Sequence, residues 1–329
     1  MLQPLPFRQL HDALKKSQSV LIVSDGRPDG DSLGSTTALY HWLKREGKTV
    51  RLFCIVPPPA GFLFLDGIHD MTTDSAVFDH PYDIVITCDT TDAAHCGISE
   101  HLKRIPAKPL LAEFDHHNTN AFFGDMNLVD ITACSTCEVV YRFFEAEHIP
   151  IDDRMATSLL TGLCTDTSNF SNAGTTAIGM EAAGNLCAAG ARHTDILKNI
   201  VRNKTIPALR LWGTALERLK HIPELDLAVT YFKLDEIKKT EGGEEAVAGV
   251  SNFLNAACAG VDPIMVLKEI PDGNTKASVR SLNRDISILC KKLGGGGHKK
   301  AAGFTVPGPI KLDKNGIPEV MGQISTLGI

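Results

Sequence analysis

Val20-Leu21-Ile22-Val23-Ser24-Asp25-Gly26-Arg27-Pro28-Asp29-Gly30-Asp31-Ser32-Leu33-Gly34-Ser35 is the stretch that decides the fold. Four apolar residues read as a short strand, and Asp, Gly and Pro then supply a turn. Residues 32–46 continue as a helix, with Leu33, Thr37, Tyr40 and Leu43 along one side and Gly47 ending it. The design recurs downstream. Residues 83–88 form an apolar run that delivers Asp89, and residues 110–114 deliver Asp115-His116-His117. Leu159-Leu160-Thr161-Gly162-Leu163-Cys164-Thr165 delivers Asp166. In an open parallel sheet the ligand crevice lies outside the carboxyl ends of the strands. Acids far apart in sequence would meet there, and only cations make that meeting tolerable.

From about residue 10 to 185 strands alternate with helices, with a further strand at 50–56. The pattern predicts a parallel sheet covered on both faces. Ser135-Thr136-Cys137-Glu138 has capping-box spacing, with Ser135 the cap and Glu138 reaching back, and it opens a helix through Phe144. A second helix is expected over 152–164. Residues 194–220 read as a helical connector broken at Pro207. A strand at 227–232, a helix at 246–257, and strands at 263–270 and 276–282 around the turn Pro271-Asp272-Gly273-Asn274 then follow. A helix at 285–293, a glycine loop and a strand near Phe304 complete a smaller domain. The expected architecture is α/β: an amino-terminal parallel-sheet domain (1–192), a helical linker (193–222) and a carboxyl-terminal α+β domain (223–329), with a cleft between the two.

Length, composition and charge agree with this reading. A chain of 329 residues is long for one core. Nine cysteines, an odd number at irregular spacing, argue against a disulfide framework and for a reducing compartment, so the expected location is cytoplasmic. No apolar run approaches a membrane span, and the amino terminus lacks the order of a signal peptide. The net charge of −6 does not suit a protein that grips long nucleic acid. Between Val266 and Lys300, however, eight Lys and Arg face three Asp and Glu. A local anion site, and so a short anionic substrate, fits that pattern better than a polymer.

Each acidic motif has a bland reading as a turn or a helix end. As a set, Asp25, Asp29, Asp31, Asp89, His116 and Asp166 provide the hard oxygen and imidazole ligands that two divalent cations about 3.5–4 Å apart require. Adjacent histidines directly after an acid are expensive to bury without partners. Cys134 and Cys137 have the spacing of a redox or zinc pair, but there is no second pair and they sit at a helix cap, so packing is the expected role. The glycines at 294–297 read as a phosphate-facing loop. His69, His80, His95, His101 and His193 have no partner pattern and receive no role.

These residues together resemble the DHH phosphoesterases, and within them the oligoribonuclease and 3′-phosphoadenosine-5′-phosphate phosphatase branch. The resemblance rests on residues 28–35, Asp89, Asp115-His116-His117, 135–138, 161–167, Ser278-Val279-Arg280-Ser281, and Gly294 to His298 with Ala301-Ala302-Gly303. It covers almost the whole chain.

The resemblance implies hydrolysis of phosphoester bonds in very short RNA or DNA oligonucleotides, dinucleotides or 3′-phosphoadenosine-5′-phosphate. It implies two divalent cations, Mn²⁺ first and Mg²⁺ second. Asp29 and Asp89 would serve one cation, and Asp31, Asp89, His116 and Asp166 the other. Asp115 would orient His116, and His117 would face the phosphate as donor or general acid. Arg280, Gly296, Gly297 and His298 would hold the far end of the substrate, so that the second domain measures its length. A homodimer is the assembly to test. One departure stands out: where the family's first motif begins with histidine, this chain has Asp25. The expectation is that Asp25 ligates, with harder ions favoured; otherwise Arg27 or water takes the place. The rival readings are a nucleotide-binding protein of the same fold that has lost turnover and an inorganic pyrophosphatase-like enzyme.

Overall fold

The computed structural model describes residues 6–202, 204–297 and 299–325. The chain forms two compact units, Met1–Asn203 and Lys204–Ile329. The first contains α1 (Phe7–Lys16), β1 (Ser19–Ser24), α2 (Gly30–Arg45), β2 (Thr49–Phe53), β3 (Met71–Thr72), β4 (Ile84–Cys88) and α3 (Ser99–Leu102). It continues with β5 (Leu110–Asp115), β6 (Met126–Val129), α4 (Thr136–Ala146), α5 (Asp153–Asp166), α6 (Ala177–Ala188) and α7 (His193–Ile196). A π-helical turn, Leu197–Val201, closes the unit.

The strand order is β3-β2-β1-β4-β5-β6, with every pair parallel. Both faces are covered, as such a sheet requires. Along β1, Val20 and Ile22 enter one core while Leu21 and Val23 enter another. The chain leaves β1 toward β2 on one side and returns through β4 on the other. The carboxyl ends of β1 and β4 therefore flank the switch point, where ligands enter open sheets of this kind.

Helix α2 is buried along nearly its whole length. Its packing on α5 depends on two glycines at the crossing. A Cβ at Gly34 would come within 2.4 Å of Ser158 O, and one at Gly162 within 2.5 Å of Asp31 Oδ1. The absent side chains let the helix that carries Asp31 lie against the helix that ends in Asp166.

The second unit holds α8 (Ile206–Glu217), β7 (Lys220–Ile222), β8 (Leu227–Phe232), α9 (Leu234–Lys239), α10 (Glu244–Val247), α11 (Val250–Ala257) and β9 (Ile264–Glu269). It ends with β10 (Thr275–Arg280), α12 (Ser287–Lys292), β11 (Gly296–Gly297), β12 (Ala301–Val306) and α13 (Val320–Ser325). Its sheet runs β11-β12-β10-β9-β8-β7 and is mixed, parallel only at β8–β9. The single helix expected over 246–257 is two, because Gly249 at φ +88° breaks it. Pro207 lies in the first turn of α8, where its missing N–H costs nothing, and not in a helix interior. Among the described residues no helix is long and apolar enough to cross a membrane.

Candidate metal centre and phosphoester site

The chemistry-bearing residues of the first unit come from the carboxyl ends of three strands and one helix, and from the amino end of α2, which carries Asp31. Asp25 follows β1, Asp89 follows β4, Asp115 ends β5 and Asp166 ends α5. Asp166 sits at the negative end of a helix dipole, a placement that disfavours its ionised form unless a cation is near. Asp89 has φ +62°, a left-handed conformation that Asp tolerates better than most residues, and such outliers cluster at functional sites.

Two groups of ligand atoms come together within 4.8 Å: Asp31 with His116 and Asp166, and Asp89 with His116 and His117. His116 Nε2 lies 3.0 Å from Asp166 Oδ2, 3.9 Å from Asp31 Oδ2 and 3.8 Å from Asp89 Oδ1. His117 Nδ1 lies 3.7 Å from Asp89 Oδ1. Asp29 does not enter either group; its Oδ1 accepts from the backbone N–H of Asp31 and Ser32 and caps α2. Nor does Asp25, whose Oδ1 accepts from Arg27 N at 2.8 Å. Its Oδ2, however, is buried with no hydrogen-bond partner, 3.9 Å from His95 Nε2.

The acids are held rigidly. The start of α4 presents its N–H groups to Asp31, with Thr136 N at 2.6 Å and Cys137 N at 2.9 Å. Thr136 Oγ1 donates to Asp89 Oδ1 at 2.9 Å. Asn120 Nδ2 donates to Asp115 Oδ2 at 2.7 Å. Sequence reasoning missed the roles of Thr136 and Asn120; the capping motif at 135–138 was the one available signal for the first. Glu138 does reach back, but to Cys134 N at 3.0 Å and not to Ser135, while Ser135 Oγ accepts from Glu138 N. Cys134 and Cys137 are buried free thiols.

The expected partnership of Asp115 with the His116 ring is corrected by the geometry. Asp115 Oδ1 accepts from His116 through its backbone N–H at 2.8 Å and sits 2.7 Å from Nδ1 of the His117 ring. The ring of His116 is turned by Ala133 O, 3.3 Å from Nδ1, which aims Nε2 at the acids. Asp115 thus meets the ring of His117 and the backbone of His116.

The charges of the cluster act on one another. Burial and then the charge of Asp166 push Asp31 up to about 6. Burial, then Asp31, Asp29 and Asp166, push Asp89 well above the usual carboxylate range. Burial alone would press His116 down, but its hydrogen bond to Asp166 and the surrounding acids push it up to about 10. Crowded buried acids of this kind are stabilised by nearby positive charge, and the oxygen and imidazole donor set is the kind divalent ions take. The unpartnered Asp25 oxygen is a further unused donor. The residues fit a metal centre.

In the second unit Arg280 Nε donates to Asn252 Oδ1 at 2.7 Å and Nη1 to Val279 O at 3.1 Å. Burial holds its guanidinium below the ordinary value. Gly296 and Gly297 form not an open loop but edge strand β11, paired with Gly303 and Ala302. A Cβ on Gly297 would come within 2.6 Å of the β12 backbone, and its φ of +131° also favours glycine. A Cβ on Gly296 would meet nothing within 4 Å. His298 lies outside the described residues.

Comparison with known proteins adds the following. The model of the DHH family, N-terminal domain, matches residues 19–163, and that of the DHHA1 domain matches residues 231–315. The bifunctional oligoribonuclease and PAP phosphatase NrnA of Thermus thermophilus is 27% identical over 297 residues, 90% of this chain and 86% of that protein. An exopolyphosphatase-related protein from Bacteroides fragilis shares the fold with a TM-score of 0.87 and 21% identity, covering 98% of this chain and 95% of that one. RecJ of Thermus thermophilus in complex with Mn²⁺ shares it more loosely, with a TM-score of 0.50 and 18% identity over 99% of this chain and 55% of that one.

Proposed function

This chain belongs to the DHH family, a DHH amino-terminal domain followed by a DHHA1 domain, and on that premise we propose that it hydrolyses phosphoester bonds in very short oligonucleotides, dinucleotides or 3′-phosphoadenosine-5′-phosphate. The observation that carries the reading is the convergence of Asp31, Asp89, His116, His117 and Asp166 at the carboxyl ends of a parallel sheet. The activity of the Thermus thermophilus relative, as its name gives it, supports the substrate class.

We assign Asp31, Asp89, His116 and Asp166, with Asp25 and Asp29 beside them, to two divalent cations, Mn²⁺ before Mg²⁺. Bound there, such ions supply Lewis acidity and neutralise a phosphate under attack. The chain's own residues do the rest. Asp115, held by Asn120, fixes the His117 ring so that it can offer a proton to the substrate. The amino end of α4 fixes the Asp31 carboxylate. The free cysteines support a reducing, cytoplasmic setting. Incubation of the purified protein with Mn²⁺ and a panel of dinucleotides, longer strands, 3′-phosphoadenosine-5′-phosphate and pyrophosphate is the decisive test. Turnover confined to pyrophosphate, or binding without turnover, would replace this reading.

Asp25 makes a specific prediction. As a ligand, its replacement by Ala should raise the Mn²⁺ concentration needed for half-maximal activity, and Asp25→His should restore or shift metal preference. An unchanged metal dependence in both variants removes Asp25 from the centre.

Arg280, Gly296, Gly297 and His298 we assign to substrate binding. Arg280→Ala should lower kcat/KM for a dinucleotide by roughly 10- to 150-fold, the worth of one charge-assisted contact of about 1.5–3 kcal/mol. The loss on a long single strand should be smaller, because a strand that extends past the site draws on other contacts. Equal losses on both would show that Arg280 does not select for length.

A further inference from the structure

Arg27 stands in the loop between β1 and α2, flanked by Asp25 and Asp29. Its side chain is exposed, and its Nη2 donates to His95 Nε2 at 2.8 Å. Arg104, Arg142, Arg192, Arg218 and Arg284 each bind a carboxylate in this chain. Arg27 has no carboxylate within ion-pair distance among the described residues, although two acids adjoin it in sequence. Asp25 Oδ1 takes the backbone N–H of Arg27, and Asp29 Oδ1 caps α2.

His95 Nε2 accepts from the guanidinium, and the contact orients Arg27. A guanidinium has five N–H donors in a rigid fork, and His95 uses one of them. A fork with no ion-pair partner, held beside the switch-point crevice, suits a phosphate, which such forks bind in bidentate fashion. His95 comes from the loop after β4, more than sixty residues away in sequence, and the same imidazole lies 3.9 Å from Asp25 Oδ2. That ties the fork to the edge of the acidic cluster.

We infer that Arg27, positioned by His95, is a phosphate clamp that binds the phosphate group of the substrate beside the metal ligands. This rests on the proposed phosphoester substrate and adds a residue to it. Arg27 touches the substrate, and His95 acts through Arg27 as a positioning residue.

The test uses the full-length protein with Mn²⁺ and the dinucleotide pApA. Arg27→Ala should raise KM by roughly 10- to 150-fold with little change in kcat, the signature of lost uniform binding. Arg27→Lys should fall between, keeping the charge but losing the fork. His95→Ala should raise KM several-fold alone and add nothing in the Arg27→Ala background, because its effect passes through Arg27. Mn²⁺ binding, followed by paramagnetic resonance, should be unchanged in both variants. An unaltered KM in Arg27→Ala overturns the inference. So do additive losses in the double variant, or weakened Mn²⁺ binding in either single one, which would make the pair part of the metal centre. If the native protein turns over no phosphoester, the proposed function fails, and calorimetry with inorganic phosphate still decides the clamp: equal affinity in native and Arg27→Ala protein would overturn it.

Discussion

Asp89→Asn is expected to lower kcat by at least about 10²- to 10³-fold, the scale on which a single preorganised electrostatic contact counts at a reacting phosphate. Asn is the informative replacement because it tolerates the left-handed backbone at φ +62° and keeps the shape of the side chain. Asp89 is the acid on which the cluster turns. Its Oδ1 lies near both histidine rings and takes the hydroxyl of Thr136. Burial and the charges of Asp31, Asp29 and Asp166 all oppose its ionisation, so removing the charge relieves the metal-free fold. Asp89→Asn should thus match or exceed the native protein in Tm when a chelator is present, and should lose most of the stabilisation that Mn²⁺ gives the native protein. Full activity in Asp89→Asn would remove it from the metal centre. A collapse of the metal-free Tm would assign it a structural role.

Without metal, stability should fall as pH rises. Asp31 titrates near 6 in the fold against an ordinary 3.8, so over roughly pH 4–6 the folded state holds a proton that the unfolded chain has released. His116 titrates near 10 against 6.5, so over roughly pH 6.5–10 the same holds for its imidazolium. Wherever the folded state binds more protons, stability falls as pH rises. The chelated protein should therefore lose Tm steadily from about pH 5 to pH 9. With Mn²⁺ in excess the slope should flatten or change sign, because the ligands must lose those protons to bind the ion. At Mn²⁺ a thousandfold above its dissociation constant the gain is about 4 kcal/mol. Thermal melts across that range, with and without chelator, measure both slopes. A chelated protein that grows more stable with rising pH, or no Mn²⁺ stabilisation at pH 8, would contradict the account of the cluster.

By itself the sequence determined the local elements and the chemical inventory. Apolar runs that end in Asp89 and Asp115, the turn at 28–31 and the serine cap at 135 are written in neighbouring residues, because strand period, turn chemistry and capping act over a few positions. The bounds of β8 and the parallel sheet followed for the same reason. Tertiary structure alone decided which acids come within reach of one another, and which of their oxygens are already held by hydrogen bonds. Asp31 is held by residues 105 and 106 positions away, and Asp89 by one 47 positions away. The sequence offers no sign of the carbonyl of Ala133 turning His116, of His95 meeting Arg27, or of Asn120 bracing Asp115. Nor does it separate a glycine that opens a loop from one that lets β11 lie against β12. These features arise from the strand order and the α2–α5 crossing, which bring distant backbone groups within hydrogen-bond reach, and spacing along a chain does not encode that distance.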